Sequence, residues 1–307
     1  MNCSIVIGSR GSKLALWQAQ HIQAQLLDID SDLDVRIEII KTTGDVKPDP
    51  LSVIGGKGVF TKELEDALLD HRIDIAVHSL KDLSTIIPDT LSIAAICKRE
   101  DPRDALVLRE RTKVTSLLDL KPGSVVGTSS QRRFAQLKSK RSDLQFKELR
   151  GNVDTRLRKL DEGQYDALLL ACAGLIRLGL ESRIALHIPT TEMIPAVGQG
   201  AIGIETRADQ SSVIEAVSRL EHVPTSIACR AERSLLRTLG GGCQFPIAAH
   251  GVVAGDELKL DGLVATPTGS KILKDTIIGP ATSPEDLGAT LAQKLNDNGA
   301  QALLSES

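Results

Sequence analysis

The sequence predicts an α/β protein, with two similar α/β domains followed by a smaller α+β domain. Three observations lead there. Strand and helix signals alternate through the first two-thirds, the pattern of α/β layers around a largely parallel sheet. The alternation restarts after the polar stretch Lys98-Arg99-Glu100-Asp101-Pro102-Arg103-Asp104. The last third instead carries two long strand signals and a terminal helix. A length of 307 residues suits two or three domains.

Ile5-Val6-Ile7 make a short apolar strand that ends at Gly8. Ser12 then opens a helix in which Ala15, Ala19, Ile22 and Leu26 fall on one face. Residues 36–40 read as a strand, Thr61 caps a helix through Leu69, and residues 73–77 and 91–97 are further strands. Beyond the polar stretch, residues 105–108 and Val125-Val126 are strands. Gly127-Thr128-Ser129-Ser130 leads into a helix from Gln131, Asn152 caps a helix through Leu160, and residues 167–171 form a buried strand. Gly8-Ser9-Arg10-Gly11-Ser12 and Gly127-Thr128-Ser129-Ser130 are the same device, a strand followed by a Gly/Ser turn and a helix start. In the last third a helix from Pro224-Thr225 stops at Gly240-Gly241-Gly242. Strands over 257–264 and 271–278 are joined through Pro267-Thr268-Gly269-Ser270. Ser283-Pro284-Glu285-Asp286 starts a final helix with an N-cap, an early proline and early acids. Leu287, Leu291 and Leu295 line one face of it, and Asn298-Gly299 closes it.

Composition narrows the function. Lys plus Arg number 37 against 40 Asp plus Glu, a net charge of −3, without the basic excess of a dedicated nucleic-acid binder. Aromatics are only 2%, so the core is aliphatic and base-stacking platforms are not expected. The longest apolar run, residues 167–176, is far short of the roughly 20 residues that span a bilayer. The opening MNCSIVIGSR has no basic start and no long apolar stretch, so it does not read as a signal peptide. The five cysteines (3, 97, 172, 229 and 243) are an odd number with no C-x-x-C pair, which excludes a fully paired disulfide framework and familiar zinc spacings. The expectation is a reduced, cytoplasmic protein with no metal and no membrane or nucleic-acid partner.

Three constellations carry chemistry. Cys243 sits in Gly240-Gly241-Gly242-Cys243-Gln244-Phe245-Pro246, where bare backbone presents a thiol that is a nucleophile, a covalent anchor or an incidental loop cysteine. Arginines 132, 133, 141, 150, 156, 158, 177 and 183 help give residues 125–185 twelve basic against seven acidic groups. That is +5, against −8 elsewhere (25 basic, 33 acidic). Arg132 and Arg133 follow Thr128-Ser129-Ser130 at a helix start, where free N–H groups and the helix dipole favour an anion. Arg150 and Arg156 bracket the helix start at Asn152, whereas Arg141 and Arg158 read as solvated helix faces. The third constellation, His78-Ser79-Leu80-Lys81-Asp82, follows a strand. There a carboxylate stabilises a cation or moves a proton, unless it is simply a surface Lys–Asp pair. Gly198-Gln199-Gly200-Ala201-Ile202-Gly203 fits G-x-G-x-x-G, but a strand-like segment closes it where a dinucleotide loop opens a helix. Gly55-Gly56-Lys57-Gly58 lacks phosphate-loop spacing.

These residues resemble the porphobilinogen deaminase (hydroxymethylbilane synthase) family. The matching segments are Arg10-Gly11-Ser12-Lys13-Leu14-Ala15-Leu16-Trp17-Gln18, Gly55-Gly56-Lys57-Gly58-Val59-Phe60 and Ala76-Val77-His78-Ser79-Leu80-Lys81-Asp82. They continue with Gly127-Thr128-Ser129-Ser130-Gln131-Arg132-Arg133 and Leu149-Arg150-Gly151-Asn152-Val153-Asp154-Thr155-Arg156-Leu157. Pro195-Ala196-Val197-Gly198-Gln199-Gly200-Ala201 and Gly241-Gly242-Cys243-Gln244-Phe245-Pro246-Ile247 complete a set that lies in family order.

The resemblance implies two periplasmic-binding-protein-like α/β domains, residues 1–99 with 200–218 and residues 103–194. A third, α+β domain over 222–307 carries the cofactor cysteine. It implies condensation of four porphobilinogen molecules with loss of ammonia, giving hydroxymethylbilane, by a monomeric enzyme primed with a dipyrromethane. That cofactor is bound as a thioether through Cys243. By the same resemblance Asp82 is catalytic, and Lys81, Asp82, Thr128, Ser129, Arg132, Arg133, Arg150 and Arg156 hold cofactor carboxylates. Arg10, Ser12, Gln18, Phe60, Arg177 and Gln199 contact substrate, and residues 45–58 form a mobile lid. On this reading the arginines line a cleft for a polycarboxylate chain, and replacing Arg132 or Arg133 with Leu weakens cofactor assembly more than folding. Three departures stand out: Ile176 replaces a basic residue, Gly240 gives a looser loop, and Phe245 is bulkier than the common Val. Two rival classes are a non-catalytic solute-binding pair of domains, which leaves Cys243 unexplained, and a nucleotide-dependent oxidoreductase built on residues 198–203.

Overall fold

The computed structural model describes residues 4–42, 61–242 and 245–305. The chain runs β1 (Ser4–Ser9), α1 (Lys13–Ile29), β2 (Asp34–Ile39), α2 (Lys62–Leu69), β3 (Ile75–Ser79), β4 (Leu91–Ile96), β5 (Asp104–Leu108) and β6 (Val125–Gly127). It continues through α3 (Gln131–Lys138), β7 (Gln145–Lys147), α4 (Val153–Asp161), β8 (Ala167–Ala171), α5 (Cys172–Arg177), β9 (Leu186–Ile188), β10 (Ile202–Arg207) and α6 (Ser211–Ser218). Last come α7 (Val223–Thr238), β11 (Ile247–Ala254), β12 (Glu257–Ala265), β13 (Ile272–Pro280), α8 (Pro284–Asp297) and α9 (Ala300–Ser305).

Two compact units emerge: Met1–Arg99 with Ala201–Ile227, and Glu100–Gly200 with Ala228–Ser307. Each holds a five-stranded sheet, ordered β2-β1-β3-β10-β4 in the first and β7-β6-β8-β5-β9 in the second. These orders correspond strand for strand. In both, three neighbouring strands are parallel and the fourth is antiparallel to both its neighbours. The two halves therefore share one topology. The sheets are mixed, however, not largely parallel. The reversed strand in each, β10 or β5, is the first one formed after the chain enters that unit at residue 201 or 100. It returns without a crossover helix, so it pairs antiparallel.

The core of the first unit is aliphatic. Ala19, Ile22 and Leu26 of α1 pack on Ile5, Ile7, Ile75 and Ile204. Ser12 caps α1, accepting from the Ala15 N–H at 3.3 Å. In the second unit, Leu106, Val126, Leu137 and Leu169 bury one side of the sheet, and Val107, Leu157, Leu168 and Leu175 the other. The antiparallel sheet β11-β12-β13 belongs to this unit too. Ala135 of α3 and Ile194 pack against Ala248, Leu263 and Ala265 of that sheet. Helix α8 covers it with Leu291 and Leu295, while Leu287 is half-buried over Gly279.

Several elements depart from the sequence expectation, and two of them show the physical reason. Strand β3 begins at Ile75, because the Asp74 carboxylate accepts the Val6 N–H at 2.8 Å and Ile73 turns into the core. It reaches Ser79 because β10 extends the pairing to Ile202↔Ser79. Strand β11 gives little sequence signal: Ala248-Ala249-His250-Gly251 lacks branched apolar residues, and β12 supplies its pairing.

Candidate active site

Within each unit, several of the predicted residues lie beyond the carboxyl ends of parallel strands, the usual ligand position in open α/β sheets. In the first unit β1 ends at Ser9, so Arg10 is half-buried just past it and Ser12 caps the next helix. Strand β3 ends at Ser79 and passes into a short 3-10 turn, Leu80–Asp82. Leu80 and Leu83 are buried on either side of that turn and pin it to the sheet. The Leu80 N–H donates to the Ala201 carbonyl at 3.0 Å. Gly203 permits this seat, since a Cβ there would lie 2.9 Å from Leu80 Cδ1. Asp82 is left exposed on a fixed turn, with Lys81 half-buried beside it.

Two buried side chains support that turn. Gln18, from α1, donates Nε2 to Ser79 Oγ at 2.9 Å. It is only 2% exposed and braces Ser79 from inside the unit. His78 Nε2 meets Glu205 Oε2 at 3.0 Å, both side chains buried between β3 and β10. Glu205 was not found from sequence, because 127 positions separate it from His78. Nearby Glu65 has its carboxyl pushed up by burial and by the Glu205 charge, against the pull of His78.

In the second unit, β6 ends at Gly127 and Thr128-Ser129-Ser130 turn into α3. Thr128 Oγ1 accepts the Ser130 N–H, and Ser130 caps the helix by accepting from the Arg133 N–H. Ser129 is exposed, its hydroxyl donating to the Leu149 carbonyl. Arg132 and Arg133 point inward, 4% and 6% exposed, around the fully buried Asp104 at the start of β5. Arg132 donates to Asp104 at 2.6 and 3.1 Å and to the Ile194 carbonyl at 2.8 Å. Arg133 donates to Asp104 at 2.9 Å and to the Leu169 carbonyl at 3.0 Å. Gln199 donates Nε2 to Asp104 at 3.0 Å and accepts from Arg133 at 3.4 Å. Burial alone would raise the Asp104 carboxyl, but the two guanidinium charges outweigh it and hold it far below the usual carboxylate range. Two positive charges around one negative leave this cluster at +1, beside the positive end of α3.

The other arginines separate by environment. Arg150 and Arg156 are half-buried around the start of α4, Arg150 donating to Glu148 and Arg156 to the Gly151 carbonyl, each at 2.6 Å. Arg177, at the end of α5, is buried and donates to the Gly200 carbonyl at 2.7 Å. Arg158 is exposed and pairs with Glu162, as a solvated helix face requires. Arg141 is not solvated. It is buried, donating to the carbonyls of Leu117, Leu118 and Leu120 and pairing with Asp143 at 2.7 Å. Those carbonyls end a short 3-10 turn, Leu117–Asp119, and leave Arg141 a structural post.

Cys243, Phe60 and the expected lid at 45–58 lie outside the described residues. The approach to Cys243 is described. The Gly240 N–H donates to the Arg237 carbonyl and the Gly241 N–H to the Leu236 carbonyl, a Schellman end to α7. Gly240 has φ +69°, the left-handed conformation that ends α7. Ile176 packs against the Leu157–Leu168–Leu175 side of the core. Residues 198–203 lead into strand β10, so the dinucleotide reading fails. Cys97, Cys172 and Cys229 are buried.

This fold and these residues define a class: an α/β protein whose strand ends present a fixed carboxylate on one unit and an arginine-rich helix start on the other. Residues 5–215 match "Porphobilinogen deaminase, dipyromethane cofactor binding domain", and residues 226–297 match "Porphobilinogen deaminase, C-terminal domain". The chain is 50% identical over 302 residues to the porphobilinogen deaminase of Chromobacterium violaceum, covering 98% of this chain and 97% of that one. It is 48% identical over 303 residues to that of Synechococcus elongatus, covering 98% and 95%. This chain belongs to the porphobilinogen deaminase family. Among solved structures, a TRAP periplasmic solute binding protein from Desulfovibrio salexigens aligns at TM-score 0.44 and 11% identity, over 72% of this chain and 73% of that one. That likeness is too low to bear on fold or function.

Proposed function

We infer that this chain is a transferase that condenses porphobilinogen head to tail, four molecules in turn, releasing ammonia and giving hydroxymethylbilane for tetrapyrrole synthesis. The family match along nearly the whole chain carries this reading. In each condensation the aminomethyl C–N bond breaks, ammonia leaves, and the methylene carbon bonds to a pyrrole carbon, which gives up its proton. Asp82 is suited to the charge that develops. Its exposed carboxylate on an immobile turn can stabilise a methylene-pyrrole cation and assist proton transfer to the leaving amine.

The residues of the second unit fit a dipyrromethane, which carries acetate and propionate groups. The dipyrromethane supplies the pyrrole end from which the product chain grows. Ser129, exposed at the start of α3, and Arg150 and Arg156, half-buried around the start of α4, offer donors to carboxylates. Thr128 extends this set, and Lys81 on the first unit is a further candidate donor. Arg132 and Arg133 lend it the +1 charge left after pairing with Asp104. On the first unit Arg10 and Ser12, with Gln18 positioning Ser79, and on the second unit Arg177 and Gln199 are the candidate contacts for the substrate and the lengthening chain; Phe60, a further candidate, lies outside the described residues.

We further propose that Cys243 anchors the dipyrromethane as a thioether and that the protein is a cytoplasmic monomer of three domains (1–99 with 200–218, 103–194 and 222–307). The three separate sheets support that division. Among the described residues no helix is long and apolar enough to cross a membrane. Intact-mass measurement tests the anchor: the chain should carry one two-pyrrole unit, absent in Cys243→Ser. An unmodified yet fully active protein would overturn it.

A further inference from the structure

Three metal-ligating side chains converge in the second unit, among residues that the condensation does not use. They are Asp101, Cys172 and His187, and their donor atoms all lie within 4.8 Å of one another. The topology brings them together. Strand β5 runs between β8 and β9, with Asp104 opposite Ala171 on one side and Ile188 on the other. Cys172 follows Ala171 directly, and its N–H donates to the Arg103 carbonyl at 3.1 Å. His187 precedes Ile188 and sits opposite Ala105. Asp101 lies just ahead of β5 in the chain. One ligand therefore comes from each of a helix start, a strand and a loop.

From this geometry we propose that Asp101, Cys172 and His187 form a binding site for a zinc-class divalent cation. A sulfur, an imidazole nitrogen and a carboxylate oxygen are a donor set that zinc takes readily and that calcium and magnesium, which prefer oxygen, do not. Tetrahedral bonds of about 2.0–2.3 Å need the ligand atoms to draw in by less than about an ångström or so. Side-chain rotation supplies that. The Cys172 thiol gives its proton to solvent as the sulfur–metal bond forms, and a water completes the fourth position.

The surroundings suit such a site. Arg103 holds the Asp101 carboxylate through Nε at 2.9 and 3.0 Å and through its terminal nitrogen at 2.7 Å. The Arg103 backbone N–H adds a further bond at 2.9 Å. These fix the carboxylate's direction, and an incoming cation would take the place of one of them. Asp101 and His187 are half-buried, which opens a route for the ion, while Cys172 is fully buried.

Titration of the full chain with Co2+ as a spectroscopic probe tests the proposal, followed by competition with Zn2+. The expected result is one ion bound with a sulfur-to-cobalt charge-transfer band, displaced by Zn2+, and a Zn2+-dependent rise in Tm. Cys172→Ala should lose the band, and His187→Gln should weaken binding at least about tenfold. His187 is half-buried, so its variant should fold and serve as the deciding measurement if Cys172→Ala does not. Binding in both variants equal to that of the parent, or a parent protein that binds neither ion at this thiol, would overturn the site.

Discussion

Arg132 and Asp104 form a buried pair, joined by two hydrogen bonds of 2.6 and 3.1 Å, with neither side chain more than 5% exposed. Removing one partner of such a pair strands a charge away from water. Arg132→Leu should therefore destabilise the protein by about 3 kcal/mol or more, even though Arg133 still serves Asp104. Arg158→Leu, at an exposed pair four residues apart on α4, should cost less than about 0.5 kcal/mol. Urea unfolding of the two variants checks the contrast. If they are equally stable, Asp104 is not the charge centre. This geometry revises the expectation that Arg132 matters more for cofactor assembly than for folding, because the guanidinium first serves the fold.

The same carboxylate sets a pH dependence. Asp104 has a folded-state pKa well below that of an unfolded aspartate, about 3.9. Its stabilisation is complete above the unfolded value and is lost as pH falls toward the folded one. Asp104→Asn should thus lower stability at neutral pH and flatten the loss of stability on acidification below about pH 5. Urea midpoints measured as a function of pH would show it; parallel curves for the two proteins would contradict it.

Much of this was legible in the sequence, for identifiable reasons. The starts of α1 and α3 could be read because Ser12 and Ser130 are local caps before a periodic run. Asp82 could be read because it follows a strand within a five-residue motif. Asp104 could not. Its partners lie 28 and 29 positions away, and only the insertion of β5 beside β8 brings them together. Arg141 misled for a related reason. Its neighbours in sequence are polar, and the carbonyls it caps lie more than 20 positions upstream. The mixed sheets escaped notice because the direction of a strand leaves no trace in its residues.

Gly240 supports a prediction of its own. At φ +69° an alanine is strained by about 1–2 kcal/mol, with no neighbour within 4 Å to blame instead. Gly242 also has open space around its Cβ position but no positive φ. Gly240→Ala should lower the unfolding midpoint while Gly242→Ala leaves it nearly unchanged. Equal effects would mean that the left-handed turn is not what ends α7.

Glu232 makes a further case. From α7 its Oε2 accepts the Gly198 N–H at 2.7 Å and its Oε1 accepts the Gly251 N–H at 2.8 Å, all buried. Glutamine has the same shape but one acceptor oxygen, so one N–H would face an amide NH2. Glu232→Gln should cost about 1–3 kcal/mol of stability. Chemical denaturation tests this, and a midpoint like that of the parent would show that the two N–H groups find other partners.

Asp82 separates reaction from folding. Its side chain is exposed on a turn held by the buried Leu80 and Leu83, so Asp82→Asn removes a charge and leaves that support intact. Stability should stay within about 0.5 kcal/mol of the parent. Turnover should fall by at least about 100-fold, the least expected when a group that stabilises developing charge or moves a proton is lost. Ammonia release from porphobilinogen measures the rate, and urea unfolding of the same sample measures the fold. A near-normal rate in a folded variant would remove Asp82 from the reaction. A slow rate with an unfolded chain would make its role structural.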